Sequence, residues 1–200
     1  MEPEEVTYNP GFLKIFDEIV TNSVDEFKRE GTALNTIKVK VDKSTITIWD
    51  NGGIPVVKHP DDDEWIPEMI FSNLKAGSNF NDDESRTGAG TNGVGSTLTN
   101  IYSKEFTIQT CDGKNLFTQT FSNNMRERTP AKIKKSKTNF TEITYTPDYE
   151  KFGLTELDES HFRMIHKRVI DIAGCNPDIK VYFNNELINI KSFEDYIKFY

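Results

Sequence analysis

Residues 10–29 read PGFLKIFDEIVTNSVDEFKR, and this stretch decides the fold prediction. Pro10 suits the first turn of a helix, Gly31 follows as a stop signal, and apolar residues recur between them at helical spacing. The apolar residues are Phe12, Ile15, Phe16, Ile19, Val20 and Phe27. A separate polar stripe consists of Glu18, Asn22, Asp25 and Glu26. The pattern predicts an amphipathic helix over 10–29, with one face in the core and another open to a ligand.

The segments that follow predict a sheet with further helices. Stretches rich in β-branched and aromatic residues predict strands at 37–41, 45–49, 106–110, 116–121, 141–145 and 179–183. Apolar residues at helical spacing predict helices from Pro67, over 96–102, over 162–173 and over 193–200. Because helices gather between groups of strands, we expect an α+β fold, a two-layer α/β sandwich whose mixed sheet is covered on one face by helices. The length of 200 residues predicts one domain, 1–200.

The composition narrows the class of protein. A hydrophobic fraction of 36% is typical of a globular chain. The chain lacks the run of about 18 apolar residues that would predict a membrane span, and its acidic N-terminus is not a secretory signal. Cys111 and Cys175 form neither a disulfide framework nor a metal-ligand spacing, and their apolar neighbours predict two buried thiols. We therefore expect an intracellular protein with no membrane contact.

The charge balance bears on nucleic acids. With 24 basic and 32 acidic residues, the net charge is −8, and the chain is predicted not to hold a nucleic-acid duplex through its overall charge. A polyanion would have to meet a local patch or a neighbouring domain. Residues 131–137, AKIKKSK, are the basic candidate, and they are either a solvated loop or a DNA contact.

The polar stripe of the first helix carries the first chemical signal. Glu18 and Asn22 are one turn apart and can face one ligand together. The Asn22 carbonyl is a hard oxygen donor of the kind that magnesium accepts beside waters and phosphates. Glu18 can orient and deprotonate a water that attacks a phosphorus atom. The alternative is an ordinary solvated helix face.

Asp50 carries the second signal, because it ends a hydrophobic strand and begins a loop. The loop residues are Asn51, Gly52, Gly53 and Ile54. A partly buried carboxylate at a strand end can accept a hydrogen bond from the amino group of adenine, and glycines let the backbone approach a flat ring. On a later strand, Thr141 can share a water with Asp50 and Ile143 can pack on the ring. The alternatives are a plain turn after Asp50 and an ordinary strand at 141–145.

A glycine-rich run carries the third signal. It consists of Gly88, Ala89, Gly90, Thr91, Asn92, Gly93, Val94 and Gly95, and it leads into Ser96 and Thr97. Glycines free backbone amides to point at an anion, and a helix N-terminus adds a positive dipole end, so the run predicts a phosphate-binding loop. It has neither the lysine of a Walker-type loop nor the spacing of a Rossmann fingerprint. The alternative is a flexible linker.

The order of these signals resembles the GHKL superfamily of ATPases. Six stretches are similar to the ATPase domain of type II DNA topoisomerases, of the eukaryotic and large-phage type. They are PGFLKIFDEIVTNSVDE (10–26), WDNGGIPV (49–56), LKAGSNFNDD (74–83), TGAGTNGVGSTLTNIYS (87–103), YTPDYEKFG (145–153) and VYFNNELINIKSFEDYIKFY (181–200). The resemblance covers nearly the whole chain and implies a Bergerat-type fold that binds ATP and Mg2+.

The resemblance also implies a role for each matching residue. Glu18 is similar to the general base, Asn22 to the magnesium ligand and Asp50 to the adenine acceptor. Ser78 and Asn79 resemble the contacts to sugar and phosphate. The remaining nucleotide contacts that it implies are Gly53, Ile54, Thr141, Ile143 and residues 90–97.

Two features depart from the family pattern. Gly52 and Gly53 are adjacent, whereas the family usually has a residue between these glycines, which affects the expected shape of the adenine floor. Thr97 stands where cellular eukaryotic enzymes have a lysine, so we expect a weaker phosphate contact there.

The resemblance implies an ATP-operated gate for DNA duplex passage. Its expected partners are the transducer and DNA-cleavage parts of the enzyme, a second subunit in a homodimer, and DNA through the full enzyme. The transducer domain and the N-terminal arm have no counterpart in residues 1–200, so we expect a mostly monomeric fragment that hydrolyses ATP slowly. The residues of NGVGSTLTNIYS (92–103) resemble those of phage or viral enzymes, which implies a protein located in the cytoplasm of a host cell.

Other members of the superfamily are the main rivals. Hsp90-like chaperones and MutL-like repair proteins share the helix and glycine pattern, but SNFNDD (78–83) and the C-terminal stretch favour topoisomerases. A histidine kinase would need a phospho-accepting helix, and none of His59, His161 or His166 has that setting. A plain α/β interaction module leaves the coincidence of Glu18, Asp50 and the glycines unexplained.

Overall fold

The structure is a computed structural model that describes residues 5–29, 31–74 and 94–198. The first helix, α1, covers Pro10–Lys28 and is capped by the Asn9 side chain, which accepts a hydrogen bond from the Phe12 amide at 3.1 Å. Its buried residues are Phe12, Ile15, Phe16, Ile19, Val20, Ser23 and Val24. The predicted amphipathic helix is therefore confirmed, and Phe27 packs half-buried at its end.

Within the described residues, nine strands form one mixed sheet. In chain order they are β1 (Thr36–Val41), β2 (Ile46–Asp50), β3 (Ser103–Asp112), β4 (Asn115–Ser122), β5 (Glu127–Arg128), β6 (Lys132–Lys135), β7 (Asn139–Pro147), β8 (Lys180–Phe183) and β9 (Glu186–Leu187). The spatial order is β5-β4-β3-β7-β2-β1-β8-β9, with β6 also paired to β4. Only the β1–β8 pair is parallel among these, and a helix connects into it, as parallel pairing requires.

The part of the chain that the structure describes has four further α-helices. They are α2 (Ile66–Ser72), α3 (Gly95–Ile101), α4 (Glu159–Cys175) and α5 (Phe193–Ile197), with a short 3-10 helix at Tyr149–Phe152. Helix α1 packs against α3 and α4, and α4 packs against β8. Within the described ranges, no helix has both the length and the apolar character that a membrane crossing requires.

The strands bury alternate residues, because one face of the sheet meets the helices. Ile37, Ile48 and Phe106 lie on that face and join the residues of α1 in a single apolar core. Residues on the other face, such as Thr47 and Thr144, stay half-exposed. The predicted α+β sandwich is confirmed.

Several local predictions need correction. The basic stretch 131–137 contains the edge strand β6, so its alternative as a loop is wrong, whereas its alternative as a DNA contact stays a prediction. Cys111 is buried as predicted, but Cys175 is exposed because it is the last residue of α4. The final helix ends at Ile197, and α4 starts at Glu159 because the Asp158 side chain caps it.

Candidate functional site

Asp50 is the last residue of β2 and lies directly opposite Thr141 of β7. Its carboxylate is buried, with 6% of the residue exposed. The Ser23 hydroxyl on α1 donates to Oδ2 at 2.6 Å, and the Gly52 amide donates to Oδ1 at 2.9 Å. An ionised carboxylate offers about four acceptor positions, so these two bonds leave acceptor capacity for a ligand.

The environment of Asp50 favours its protonated form. Burial raises the pKa of Asp50 from its ordinary value of 3.8 to about 6, because desolvation penalises the charged form. The hydrogen bonds from Ser23 and Gly52 oppose this rise, and the nearby charge of Glu26 adds to it. A strongly perturbed carboxyl group that has no cationic partner among the described residues is typical of a binding or catalytic site.

The Ser23 hydroxyl is expected to keep Asp50 ionised near neutral pH. In Ser23→Ala the pKa of Asp50 should rise above about 6, because a bond that favours the charged form is lost. A pH titration of the Asp50 carboxyl carbon by NMR measures this directly. Thr21→Val is the control, since the Thr21 hydroxyl on the same helix donates to the Asp17 carbonyl instead. An unchanged or lower pKa in Ser23→Ala would contradict this role.

Two threonine hydroxyls hold the loop that follows Asp50. The Thr141 hydroxyl donates to the Gly52 carbonyl at 2.8 Å and lies 2.9 Å from the Thr110 hydroxyl. The Thr110 oxygen in turn accepts from the Ile54 amide at 3.0 Å. Ile54 is half-buried beside this chain of bonds, so the loop backbone is fixed at both ends of Gly53.

Gly53 is required by close backbone packing. A Cβ atom at this position would lie 2.1 Å from the Cys111 carbonyl oxygen and 2.4 Å from Oδ1 of Asn139. The adjacency of Gly52 and Gly53, which departs from the family pattern, therefore lets the loop lie directly on the end of β3.

Gly53→Ala is expected to cost about 1–3 kcal/mol of stability, because backbone atoms must move to admit the methyl group. Urea unfolding measures the loss. Gly11→Ala on α1 is the matched control, since its added Cβ would come no closer than 3.2 Å to any atom. Equal stability of the two variants would show that the loop is not held against β3.

Helices α1 and α3 bring the first and third sequence signals together. Gly95 lies so close to Glu18 that a Cβ at Gly95 would be 1.7 Å from Oε2 of Glu18. The Glu18 side chain is 23% exposed, and its Oε1 pairs with Lys14 at 2.6 Å. The Asn22 amide nitrogen donates to the Ser96 hydroxyl at 3.0 Å. This bond uses the amide nitrogen, so the Asn22 carbonyl oxygen points away from Ser96.

Thr97 points into the protein. It is fully buried, and its hydroxyl donates to the Asn73 carbonyl at 3.2 Å, just after the end of α2. Asn100 reinforces the same junction by donating to the Phe71 carbonyl at 3.0 Å. In this chain Thr97 therefore joins α3 to α2, which explains why a short hydroxyl side chain is accommodated there.

The remaining predicted contacts divide into two groups. Val94 is the half-buried residue before α3. Ile143 is buried on the core face of β7, two residue pairs along the strand from Thr141. The predictions for Ser78, Asn79, Gly90, Thr91, Asn92 and Gly93 lie outside the described residues.

Sequence reasoning missed three residues that organise the site: Ser23, Thr110 and Asn73. The signal for Ser23 was present, because it interrupts the apolar stripe between Val20 and Phe27 at a position that faces the core. A buried polar side chain needs a hydrogen-bond partner, and that partner is Asp50.

Comparisons with known proteins agree with this geometry. Residues 8–123 match the family of histidine kinase-, DNA gyrase B-, and HSP90-like ATPases. The chain is 43% identical over 207 residues to a probable DNA topoisomerase 2 of Dictyostelium discoideum, covering 100% of this chain and 14% of that protein. It is 43% identical over 204 residues to the DNA topoisomerase 2 of Acanthamoeba polyphaga mimivirus, covering 98% of this chain and 16% of that protein. The chain thus spans about a seventh of the length of these relatives.

A solved structure extends the agreement to the fold. The ATPase region of Saccharomyces cerevisiae topoisomerase II bound to ICRF-187 superimposes with a TM-score of 0.94 at 37% identity. The superposition covers 98% of this chain and 54% of that chain. The resemblance found in the sequence is confirmed, and the chain belongs to the histidine kinase-, DNA gyrase B- and HSP90-like ATPase family.

Proposed function

We propose that the chain binds ATP with magnesium and hydrolyses it, with the adenine on Asp50 and the phosphates beside Glu18 and Gly95. The observation that carries this proposal is the buried Asp50 carboxylate, which ends a strand and keeps free acceptor capacity. The amino group of adenine is a donor that this acceptor fits. Ser23 and Glu18 are five residues apart on α1, which separates the two ends of the site by about 7.5 Å along the helix axis.

The residues of the chain divide the chemistry between them. Asp50 accepts from the adenine amino group, and the loop at Gly53 and Ile54 lies beside the ring. Glu18 takes a proton from the water that attacks the terminal phosphate. The carbonyl oxygen of Asn22 is the protein ligand for magnesium, which when bound offsets charge on the phosphates. The other proposed nucleotide contacts are Ser78, Asn79, Thr141, Ile143 and residues 90–97. Of these, Thr97 would contact the nucleotide through its backbone, because its side chain is buried and its hydroxyl donates to the Asn73 carbonyl.

At the level of the whole protein, we propose that this domain is the ATP-operated gate of a type II DNA topoisomerase. Support comes from the two relatives reported above, which are named probable DNA topoisomerase 2 and DNA topoisomerase 2. The proposed partners are the remainder of that enzyme, a second subunit and a DNA duplex.

A chimaera tests the proposed gate. The matching segment of the Dictyostelium discoideum relative is replaced by residues 1–200, and ATP-dependent passage of one duplex through another is measured. With ATP held near the dissociation constant of wild type, we expect passage with the wild-type segment and much less with Asp50→Asn. A chimaera that binds ATP and cleaves DNA, yet passes no duplex with either segment, would contradict the gate function while leaving ATP binding intact.

A further inference from the structure

Positive charge is concentrated in one part of this acidic chain. Between residues 114 and 137 there is one acidic residue, Glu127, although the net charge of the whole chain is −8. The basic residues of this segment are Lys114, Arg126, Arg128, Lys132, Lys134, Lys135 and Lys137. The segment forms β4, β5 and β6 at one edge of the sheet, so the charges also lie together in space.

Four lysines line this edge and face solvent. Lys132, Lys134, Lys135 and Lys137 are all exposed. Ile133 is half-buried opposite Phe117 on the core side, so its neighbours Lys132 and Lys134 project from the open face of the sheet. We call Lys132, Lys134, Lys135 and Lys137 the basic edge.

The basic edge is not neutralised by the described part of the chain. None of its four lysines forms an ion pair with a described residue, and Lys135 only donates to the side-chain oxygen of Asn115, at 3.0 Å. Elsewhere, many exposed cations are paired, as Lys14 is with Glu18 and Arg168 is with Asp17. Unpaired charges in a row keep their full attraction for an external anion.

The surroundings of the basic edge favour a nucleic acid over a protein partner. Protein interfaces centre on exposed apolar or aromatic anchors. The exposed large apolar residues of the described chain lie elsewhere, at Tyr8, Val57, Leu74, Leu98, Tyr102, Leu187, Phe193 and Ile197. Protein–DNA interfaces are instead polar and strongly positive. Around the basic edge, the open sheet face carries the uncharged polar residues Thr118 and Gln109 and the half-buried Leu116, none of which is an exposed apolar anchor.

We propose that the basic edge binds the phosphate backbone of a DNA duplex, without reading its sequence. The choice of DNA among polyanions rests on the proposed function, because a gate for duplex passage has a duplex beside it. Strand β6 is about 13 Å long, and a duplex presents a phosphate on each strand about every 3.4 Å of its axis. The edge can therefore meet several phosphates at once.

The test compares two triple variants of the 200-residue chain. The first is Lys132→Gln, Lys134→Gln and Lys137→Gln, three edge lysines whose side chains form no hydrogen bond or ion pair with the described residues. The control is Lys40→Gln, Lys43→Gln and Lys180→Gln, three exposed lysines in or next to β1 and β8, towards the opposite edge of the sheet. Both variants lose the same charge. Fluorescence anisotropy with a short labelled duplex is measured across a salt series, and binding of an ATP analogue is measured in parallel.

Wild type and control are expected to bind the duplex with similar salt dependence. The edge variant should bind at least about tenfold more weakly at about 0.1 M salt, and its slope of log K against log salt should be shallower by about 0.9 for each lost contact. Nucleotide binding should be unchanged in all three proteins. Failure of wild type to bind the nucleotide would count against the proposed function. The DNA-binding role of the basic edge is tested separately, by the duplex-binding data.

Four outcomes would overturn the proposal. The first is that wild type does not bind the duplex, and the second is that both triple variants lose the same duplex affinity. The third is that the edge variant binds the duplex as tightly as wild type. The fourth is that wild type binds polyglutamate more tightly than the duplex. The third outcome, together with increased light scattering of the edge variant, would mean that these lysines only protect an exposed strand from aggregation.

Discussion

Asp50→Asn is expected to stabilise the folded protein at pH 8 relative to wild type. The pKa of Asp50 is raised from 3.8 to about 6 by burial, so the folded state of wild type loses stability as the pH rises from about 4 to about 6. A difference of about two pH units corresponds to about 3 kcal/mol. Asparagine escapes this loss because it carries no charge. Its amide can also accept from the Gly52 amide and donate to the Ser23 hydroxyl, so both existing contacts are kept.

Urea unfolding at a series of pH values measures this difference. The stability of Asp50→Asn minus that of wild type should grow by about 3 kcal/mol between pH 4 and pH 7 and stay level above it. Asp42→Asn is a control of opposite sign. Hydrogen bonds from Ser44 and Thr45 lower the pKa of Asp42, so this carboxylate stabilises the fold above its unfolded pKa and its loss should cost stability there. Parallel stability curves for wild type and Asp50→Asn would contradict the buried, desolvated carboxylate.

Glu18→Gln is expected to slow ATP hydrolysis about 10²–10⁴-fold, because glutamine cannot take a proton from the attacking water. Affinity for a non-hydrolysable ATP analogue should remain near that of wild type. Phosphate release measures the rate, and calorimetry measures the affinity. Hydrolysis by Glu18→Gln at the wild-type rate would exclude Glu18 as the base.

Gly95→Ala should slow ATP hydrolysis as Glu18→Gln does, although it leaves the Glu18 carboxylate itself unaltered. The added methyl group would lie 1.7 Å from Oε2 of Glu18, so the Glu18 side chain must leave its position. The double variant should then be no slower than Glu18→Gln alone, since both changes act on one group. Gly11→Ala is the control for adding a methyl group to a glycine of a helix.

The sequence predicts those helices and strands that are long enough for their apolar pattern to repeat. Helix α1 and the central strands repeat apolar residues over five or more positions, which separates helix from strand. Strands β5 and β9 have two residues each, and β6 has four, three of them lysines, so no alternation could be seen there. These strands exist because β4 and β8 offer them backbone partners.

In the candidate site, too, some residues could be predicted from the sequence and others could not. Glu18, Asn22 and Asp50 stand out in the sequence because polar residues occur at helix spacing or directly after a strand. The bonds that hold the site join residues far apart in sequence, such as Ser23 with Asp50 and Thr97 with Asn73. Such bonds follow from tertiary packing and have no local pattern.

The most direct test of the account is a calorimetric titration of the chain with a non-hydrolysable ATP analogue and magnesium. We expect wild type and Asp42→Asn to bind, and Asp50→Asn to bind about ten- to a hundredfold more weakly, because a charged acceptor for the adenine amino group is lost. A non-hydrolysable GTP analogue should bind weakly to wild type. Guanine has a carbonyl oxygen where adenine has its amino group, and two acceptors, this oxygen and the Asp50 carboxylate, cannot form a hydrogen bond. Equal affinity of wild type and Asp50→Asn for the ATP analogue, or no binding by folded wild type, would contradict the adenine site.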